Sequence, residues 1–303
     1  SQRAPGFPRG NRALLLRIAM TRHIDPQAFI DALLPVVDQC ARATLIFFGQ
    51  VADIGKAADQ TLISDHAQEA STAFTVLDAA VQDILLGAVL QHFPQVRVIA
   101  EEKTPLKRRF VGNDSPYTVI LDPIDGTYHF KRGDAPYHIT IGLAKGGEMI
   151  AAIVARPSEG KFYTAIKDRG AYLRVGKHRP RRLRLPKKPR SNAAFISSKA
   201  RQHQALARPE FDPREKPIGA ALVMTQLAEG EICAYLTRQM EIYDAGPPAL
   251  IAEEAGACCY VAENRRPIYT QRRKFAYWVA AANDEIATRL FAIIRQVRRN
   301  NRT

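Results

Sequence analysis

Asp122 and Asp125 stand three residues apart in the stretch Leu121-Asp122-Pro123-Ile124-Asp125-Gly126-Thr127. The apolar run Tyr117 to Leu121 predicts a strand that delivers Asp122 at its end. Pro123 holds Asp122 in an extended geometry, and Asp125 can point back to the same place. Gly126 and Thr127 then open a short helical turn, whose free N–H groups favour an anion. Two carboxylates beside an anion-binding turn are a way to hold Mg²⁺ against a phosphate. That ion takes hard oxygen ligands and shares them with phosphate and water. The same Asp, Pro and Gly residues also suit an ordinary surface turn.

Other acids bear on the choice. Glu101 and Glu102 follow a strand expected over Val96 to Ala100. Asp244, in Tyr243-Asp244-Ala245-Gly246, starts an apolar helix, where a simple N-cap is the alternative. Asp78 lies in Phe74-Thr75-Val76-Leu77-Asp78, where an exposed helix residue is the alternative.

The elements that must position these acids follow from periodicity. Asp25-Pro26 starts a helix over residues 26–49, with Pro35 expected to kink or offset it. Residues 50–73 are polar and mixed, which suggests a loop, and a second helix is expected over 75–92. Between 137 and 185, short β-like runs alternate with turns, as in an antiparallel sheet: 137–143, 149–155, 161–166, 171–175 and 181–185. Helices near 219–229, 244–255 and 283–298 alternate with strands near 193–197, 231–236 and 276–281. The pattern is layered α+β.

The 303 residues carry 44 Lys+Arg against 30 Asp+Glu, a formal net charge of +14, which raises the question of a nucleic-acid partner. The cations cluster in four tracts without acids: 1–24, 174–190, 265–274 and 289–302. With those tracts set aside, 20 cations face 30 acids, so an acidic body wears basic tracts. Residues 1–24 read as a basic arm ahead of the fold, and no apolar run is long enough to span a membrane. The four cysteines (Cys40, Cys233, Cys258, Cys259) form no CxxC, which suggests buried thiols in a reducing cytoplasm. The seven scattered histidines argue against a zinc enzyme.

VIAEE at 98–102, LDPIDGTYHF at 121–130 and IYDAGPPALIAEEAGA at 242–257 resemble, in order and spacing, the motifs of the inositol monophosphatase superfamily. Thr75 to Asp78, Lys56 and the segment 137–173 are also similar to family features, so the resemblance spans about 25–297. It implies a layered αβαβα sandwich, with an N-terminal α+β half over 25–185 and a C-terminal α/β half over 186–303. It implies two or three Mg²⁺ held by Glu101, Asp122, the Ile124 carbonyl, Asp125 and Asp244. It further implies catalytic roles for Glu101, Thr127 and Asp78, with Asp125, Gly126, Thr127 and Asp244 on the substrate side. The implied reaction is hydrolysis of a small phosphate ester by a Mg²⁺-dependent, Li⁺-sensitive phosphomonoesterase, as a cytoplasmic homodimer.

Tyr128-His129-Phe130 and Tyr243 depart from the family pattern, and Thr237 stands where inositol monophosphatases carry an acid that contacts the inositol ring. The implied substrates therefore extend to sugar bisphosphates and nucleotide 3′-phosphates. Cations of 174–190 could attract a second phosphate, or could simply protect a sheet edge. The alternative is a phosphatase-fold protein acting mainly as an RNA- or transcription-machinery-binding module, a link also known among bacterial members of the family.

Overall fold

The computed structural model describes residues 23–52, 54–55, 75–110, 114–214, 219–270 and 274–301. Lys56, most of the basic arm and parts of the last two basic tracts lie outside them. Asp25 caps helix α1 (Pro26–Phe47) by accepting from the Gln27 N–H at 3.2 Å. The helix runs through Pro35 and ends two residues earlier than expected, at a turn where Gly49 takes φ +74°. Ile24, assigned to the arm, is buried, and its N–H donates to the Tyr117 hydroxyl. Thr75 caps α2 (Val76–His92) in a capping box with Asp78.

The chain then builds a seven-stranded sheet in sequence order. Its strands are β1 (Arg97–Ala100), β2 (Tyr117–Asp125), β3 (His138–Lys145), β4 (Glu148–Arg156), β5 (Lys161–Ile166), β6 (Gly170–Val175) and β7 (Arg181–Leu183). Only β1 and β2 pair in parallel; the remainder is the expected antiparallel meander. Helix α3 (Thr127–Arg132) leaves the end of β2. After β8 (Ala193–Ile196) come a 3₁₀ turn (Ser198–His203), α4 (Gln204–Ala207) and β9 (Asp212–Arg214). There follow α5 (Ala220–Glu229), β10 (Ala234–Glu241), α6 (Ile242–Ala255), β11 (Cys258–Tyr260), β12 (Lys274–Ala281) and α7 (Asp284–Asn300). The second sheet has the order β11-β12-β10-β8-β9.

Strand alternation sorts the core into two layers. Val119, Leu121, Ile139, Ile141 and Ile153 pack with Phe29, Leu33, Val37, Leu85 and Val89 of α1 and α2. Ile120, Ala152, Val154, Tyr163 and Leu173, on the opposite face, pack with α5, α6 and the second sheet, which α7 covers in turn through Leu290 and Ile294. The sequence of layers is thus αβαβα, as the resemblance implied. The short strands β9 and β11, three residues each, were not legible as strands.

Candidate active site

The interior strand β2 continues past Leu121 to Asp125, where a strand ending at Asp122 was expected. A proline in a central strand normally costs a ladder hydrogen bond. Here the pairing with β1 ends at Leu121, and the pairing with β3 shifts register between Asp122 and Asp125. Pro123 sits in that irregularity, which re-aims the strand end. Asp122 Oδ1 accepts the Ile124 N–H at 3.0 Å, so the turn fixes its own carboxylate. Gly126, at φ +93°, takes the left-handed conformation that lets α3 start at once.

Asp244 reaches the same place from the other half. It lies in the first turn of α6, but the cap is Glu241; the helix begins two residues before the expected start. Carboxylate oxygens of Asp122, Asp125 and Asp244 come within 4.8 Å of one another. Carboxylate oxygen is the hard donor that a divalent ion such as Mg²⁺ takes, so this donor set could hold a metal ion. Glu101 lies outside the triad but close enough for its charge to raise the pKa of Asp78, Asp122, Asp125 and Asp244.

The electrostatics point the same way. Burial, and then the charges of Glu101, Asp125 and Asp244, push Asp122 well above the usual carboxylate range. Burial and the neighbouring acids Asp125 and Glu101 do the same to Asp244, against a smaller opposing pull from Lys199. Asp125 is pushed up to about 6 by burial, partly offset by the N–H donors of Ala221 and Ala220. Ionised together, these carboxylates repel, and a bound cation removes the conflict.

Those N–H donors belong to a part of the site that sequence reasoning missed. Helix α5 starts after Gly219 with no side-chain cap and no acid in its first turn. Its exposed N–H groups find an anion 95 and 96 residues away: Ala220 and Ala221 donate to Asp125 Oδ1 and Oδ2 at 3.2 and 2.5 Å. A Cβ on Gly219 would sit 2.7 Å from both oxygens, so glycine is what admits the carboxylate. An uncapped helix start was the one available signal, and it does not name its distant partner.

Helix α5 is in turn pinned to β4. Arg156, buried, donates from Nη2 to Thr225 Oγ1 at 2.6 Å, from Nε to His138 Nε2 at 3.1 Å and from Nη1 to Glu159 at 3.0 Å. Its Nη2 also lies 3.7 Å from the Glu229 carboxylate. His138 accepts because burial, with the Arg156 and Lys161 cations, holds it neutral.

Asp78 is fully buried, where a solvent-exposed residue had been the alternative. Its Oδ2 accepts the Thr75 N–H at 2.8 Å and the Thr75 hydroxyl at 2.7 Å. Its Oδ1 lies 2.9 Å from the Thr127 hydroxyl, which is equally close to the Ile124 carbonyl. One carboxylate thus caps α2 and orients the first residue of α3. Of the sequence-stated set, Glu101, Asp122, Ile124, Asp125, Gly126, Thr127, Asp78 and Asp244 all converge here, and Lys56 lies outside the described residues. Thr237 is buried, and its hydroxyl lies 2.6 Å from that of Ser197.

The fold and this cluster define a phosphatase class of the inositol monophosphatase type. The sequence profile of the inositol monophosphatase family matches residues 36–299, and the chain belongs to that family. It is 26% identical over 232 residues to an inositol-1-monophosphatase of Mycobacterium leprae, covering 73% of this chain and 78% of that one. It is 28% identical over 186 residues to a fructose-1,6-bisphosphatase of Pyrococcus furiosus, covering 60% and 67%. The crystal structure of the extragenic suppressor protein suhB of Bartonella henselae shares the fold, with a TM-score of 0.71 at 19% identity over 88% of this chain and 98% of that one. The chain is accordingly a phosphatase of this superfamily. Among the described residues, no helix is long and apolar enough to cross a membrane.

Proposed function

We propose that the protein is a Mg²⁺-dependent phosphomonoesterase that hydrolyses a small phosphorylated metabolite. The observation that carries this reading is the meeting of three mutually repelling carboxylates, Asp122, Asp125 and Asp244, from both halves of the chain. Asp122, Asp125 and Asp244, with Glu101 and the Ile124 carbonyl beside them, would hold two or three ions. Bound there, Mg²⁺ would supply the positive charge that offsets a phosphate dianion and acidifies a water.

The chain's own groups do the positioning. Glu101 and the Thr127 hydroxyl orient the nucleophilic water, and Asp78 fixes that hydroxyl by accepting its proton in a hydrogen bond. The backbone N–H groups of Gly126 and Thr127 hold the phosphoryl oxygens, and Asp244 faces the leaving-group side. Thr237, hydrogen-bonded to Ser197, gives the substrate side no negative charge at that position, which favours esters other than inositol monophosphate. Four buried cysteines, none of them bridged, fit a reducing cytoplasm. A homodimer and inhibition by Li⁺ belong to the same reading.

The test is Mg²⁺-dependent phosphate release across inositol phosphates, fructose bisphosphate, histidinol phosphate, 3′-phosphoadenosine 5′-phosphate and NADP. Activity on one class, abolished by Asp122→Asn in a folded protein, is expected. Full activity of that variant, or no release from any ester, would overturn the reading.

A further inference from the structure

The fold treats the basic tracts unequally. In the later tracts, Arg266 pairs with Glu253, Lys274 with Glu241, Arg289 with Glu210 and Arg295 with Glu263. In residues 174–190 only two of nine cations are neutralised, Arg174 by Asp38 and Arg181 by Glu229. Among the described residues, Lys177, Arg179, Arg182, Arg184, Lys187, Lys188 and Arg190 have no carboxylate within salt-bridge distance, and all seven are exposed.

The place of β7 in the fold argues against a substrate role for its cations. Strand β7 is the free edge of the seven-stranded sheet, five strands from the β2 that carries Asp122. At about 4.8 Å per strand the separation is about 24 Å, beyond the reach of a small phosphate ester. Of the two alternatives read from the sequence, a second phosphate of the substrate or protection of a sheet edge, this spacing argues against the first for the cations of β7.

Edge protection explains only part of it. Arg181 and Arg182 lie within β7, whereas Lys177 and Arg179 are in the turn before it and the other four follow it. Helix ends also favour cations, but α6 ends beside Leu185, whose N–H covers the Ala255 carbonyl at 2.7 Å. Seven like charges gathered without counter-charge destabilise the folded state unless an external anion offsets them.

We propose that the β6–β7 turn, β7 and the segment to residue 190 form a docking surface for the phosphate backbone of a nucleic acid. A row of cations on an exposed edge suits repeated phosphates. The tract exposes a single ring, that of His178, and has no helix to enter a groove, so phosphate contacts dominate and binding is sequence-independent. A membrane surface would want an apolar face among the cations, and Val175 is the only exposed large apolar side chain there. This inference goes beyond the phosphatase reading and does not depend on it.

The test is fluorescence anisotropy of the full-length protein with a labelled single-stranded 20-mer and its duplex between 50 and 200 mM salt. Binding should weaken steeply with salt. In Lys177→Gln/Arg179→Gln/Arg182→Gln/Arg184→Gln the log–log salt slope on the single strand should fall by about 3, at ~0.7 per phosphate contact, and affinity by tenfold or more. Arg289→Gln/Arg295→Gln, which removes paired cations, should change neither. Circular dichroism and melting of each variant confirm folding, and Lys187→Gln/Lys188→Gln/Arg190→Gln provides a second, independent loss. Unchanged binding in both tract variants, or retention on phosphatidylserine vesicles with no binding of either oligonucleotide, would overturn the proposal.

Discussion

The Asp125 carboxylate and the Ala221 N–H meet at 2.5 Å across 96 residues of sequence, joining the end of strand β2 to the first turn of α5. The contact leaves no room for a side chain at Gly219. Gly219→Ala should displace Asp125 while leaving both hydrophobic layers intact. A loss on the order of 100-fold in kcat/KM is expected from such a misplacement, with little change in melting temperature. Steady-state kinetics beside thermal melts would check it; wild-type activity would show that α5 does not position Asp125.

Arg156 ties β4 to that same helix. Arg156→Met would leave the buried His138 Nε2 without its donor and cut the tie to Thr225, while Glu229 keeps Lys161, Arg181 and the Tyr163 hydroxyl, so the cost should be about 2 kcal/mol. Urea denaturation measures it. Lys cannot reproduce three divergent guanidinium contacts, so Arg156→Lys should recover only a fraction.

Ion removal should expose the crowding of the acids. Asp125 is raised to about 6 from 3.8. A raised carboxylate binds its proton more tightly when folded, so its contribution is fully present below pH 3.8 and is lost as pH rises through 6. The metal-free protein should therefore lose stability between about pH 4 and 6. Mg²⁺ should raise the melting temperature more at pH 7.5 than at pH 4.5, since it competes with protons. At 100 times its Kd the ion is worth about 2.7 kcal/mol. Equal shifts at both pH values would contradict ligation by these carboxylates.

Asp78 and Thr127 can be separated by their second partners. Asp78→Asn breaks a capping box as well as the link to Thr127, so it should cost about 1 kcal/mol of stability in addition to activity. Thr127→Val should lower kcat with the smaller stability loss. Equal melting temperatures for the two variants would show that the cap contributes nothing.

Burial pushes Cys40 and Cys233 up to about 11 and Cys258 to about 12, and Cys259 is fully buried. Native protein should not react with a thiol-specific disulfide reagent at pH 8. Four thiols should appear on unfolding. Fast labelling of the native state would place one of them at the surface.

The acids were legible because they are local: Asp122, Pro123, Asp125, Gly126 and Thr127 lie within one turn of chain, and alternation predicts the strand that carries them. The extension of β2 through Pro123 was not, because the irregularity against β3 that tolerates the proline is a property of the pair. The role of Ala220 and Ala221 was hidden for a related reason, since backbone N–H groups leave no trace in residue type. Arg156 lacked a signal as well. An arginine at a strand end reads as exposed until Thr225, Glu229 and His138 close around it.

Asp122 and Asp125 precede residue 185, while Asp244 and the α5 donors follow it. A chain cut between β7 and β8 yields two fragments, neither of which contains the triad. Hydrolysis would thus report reassociation of the pieces, and the protein could serve as a complementation reporter whose background is set by the absence of a complete centre in either fragment.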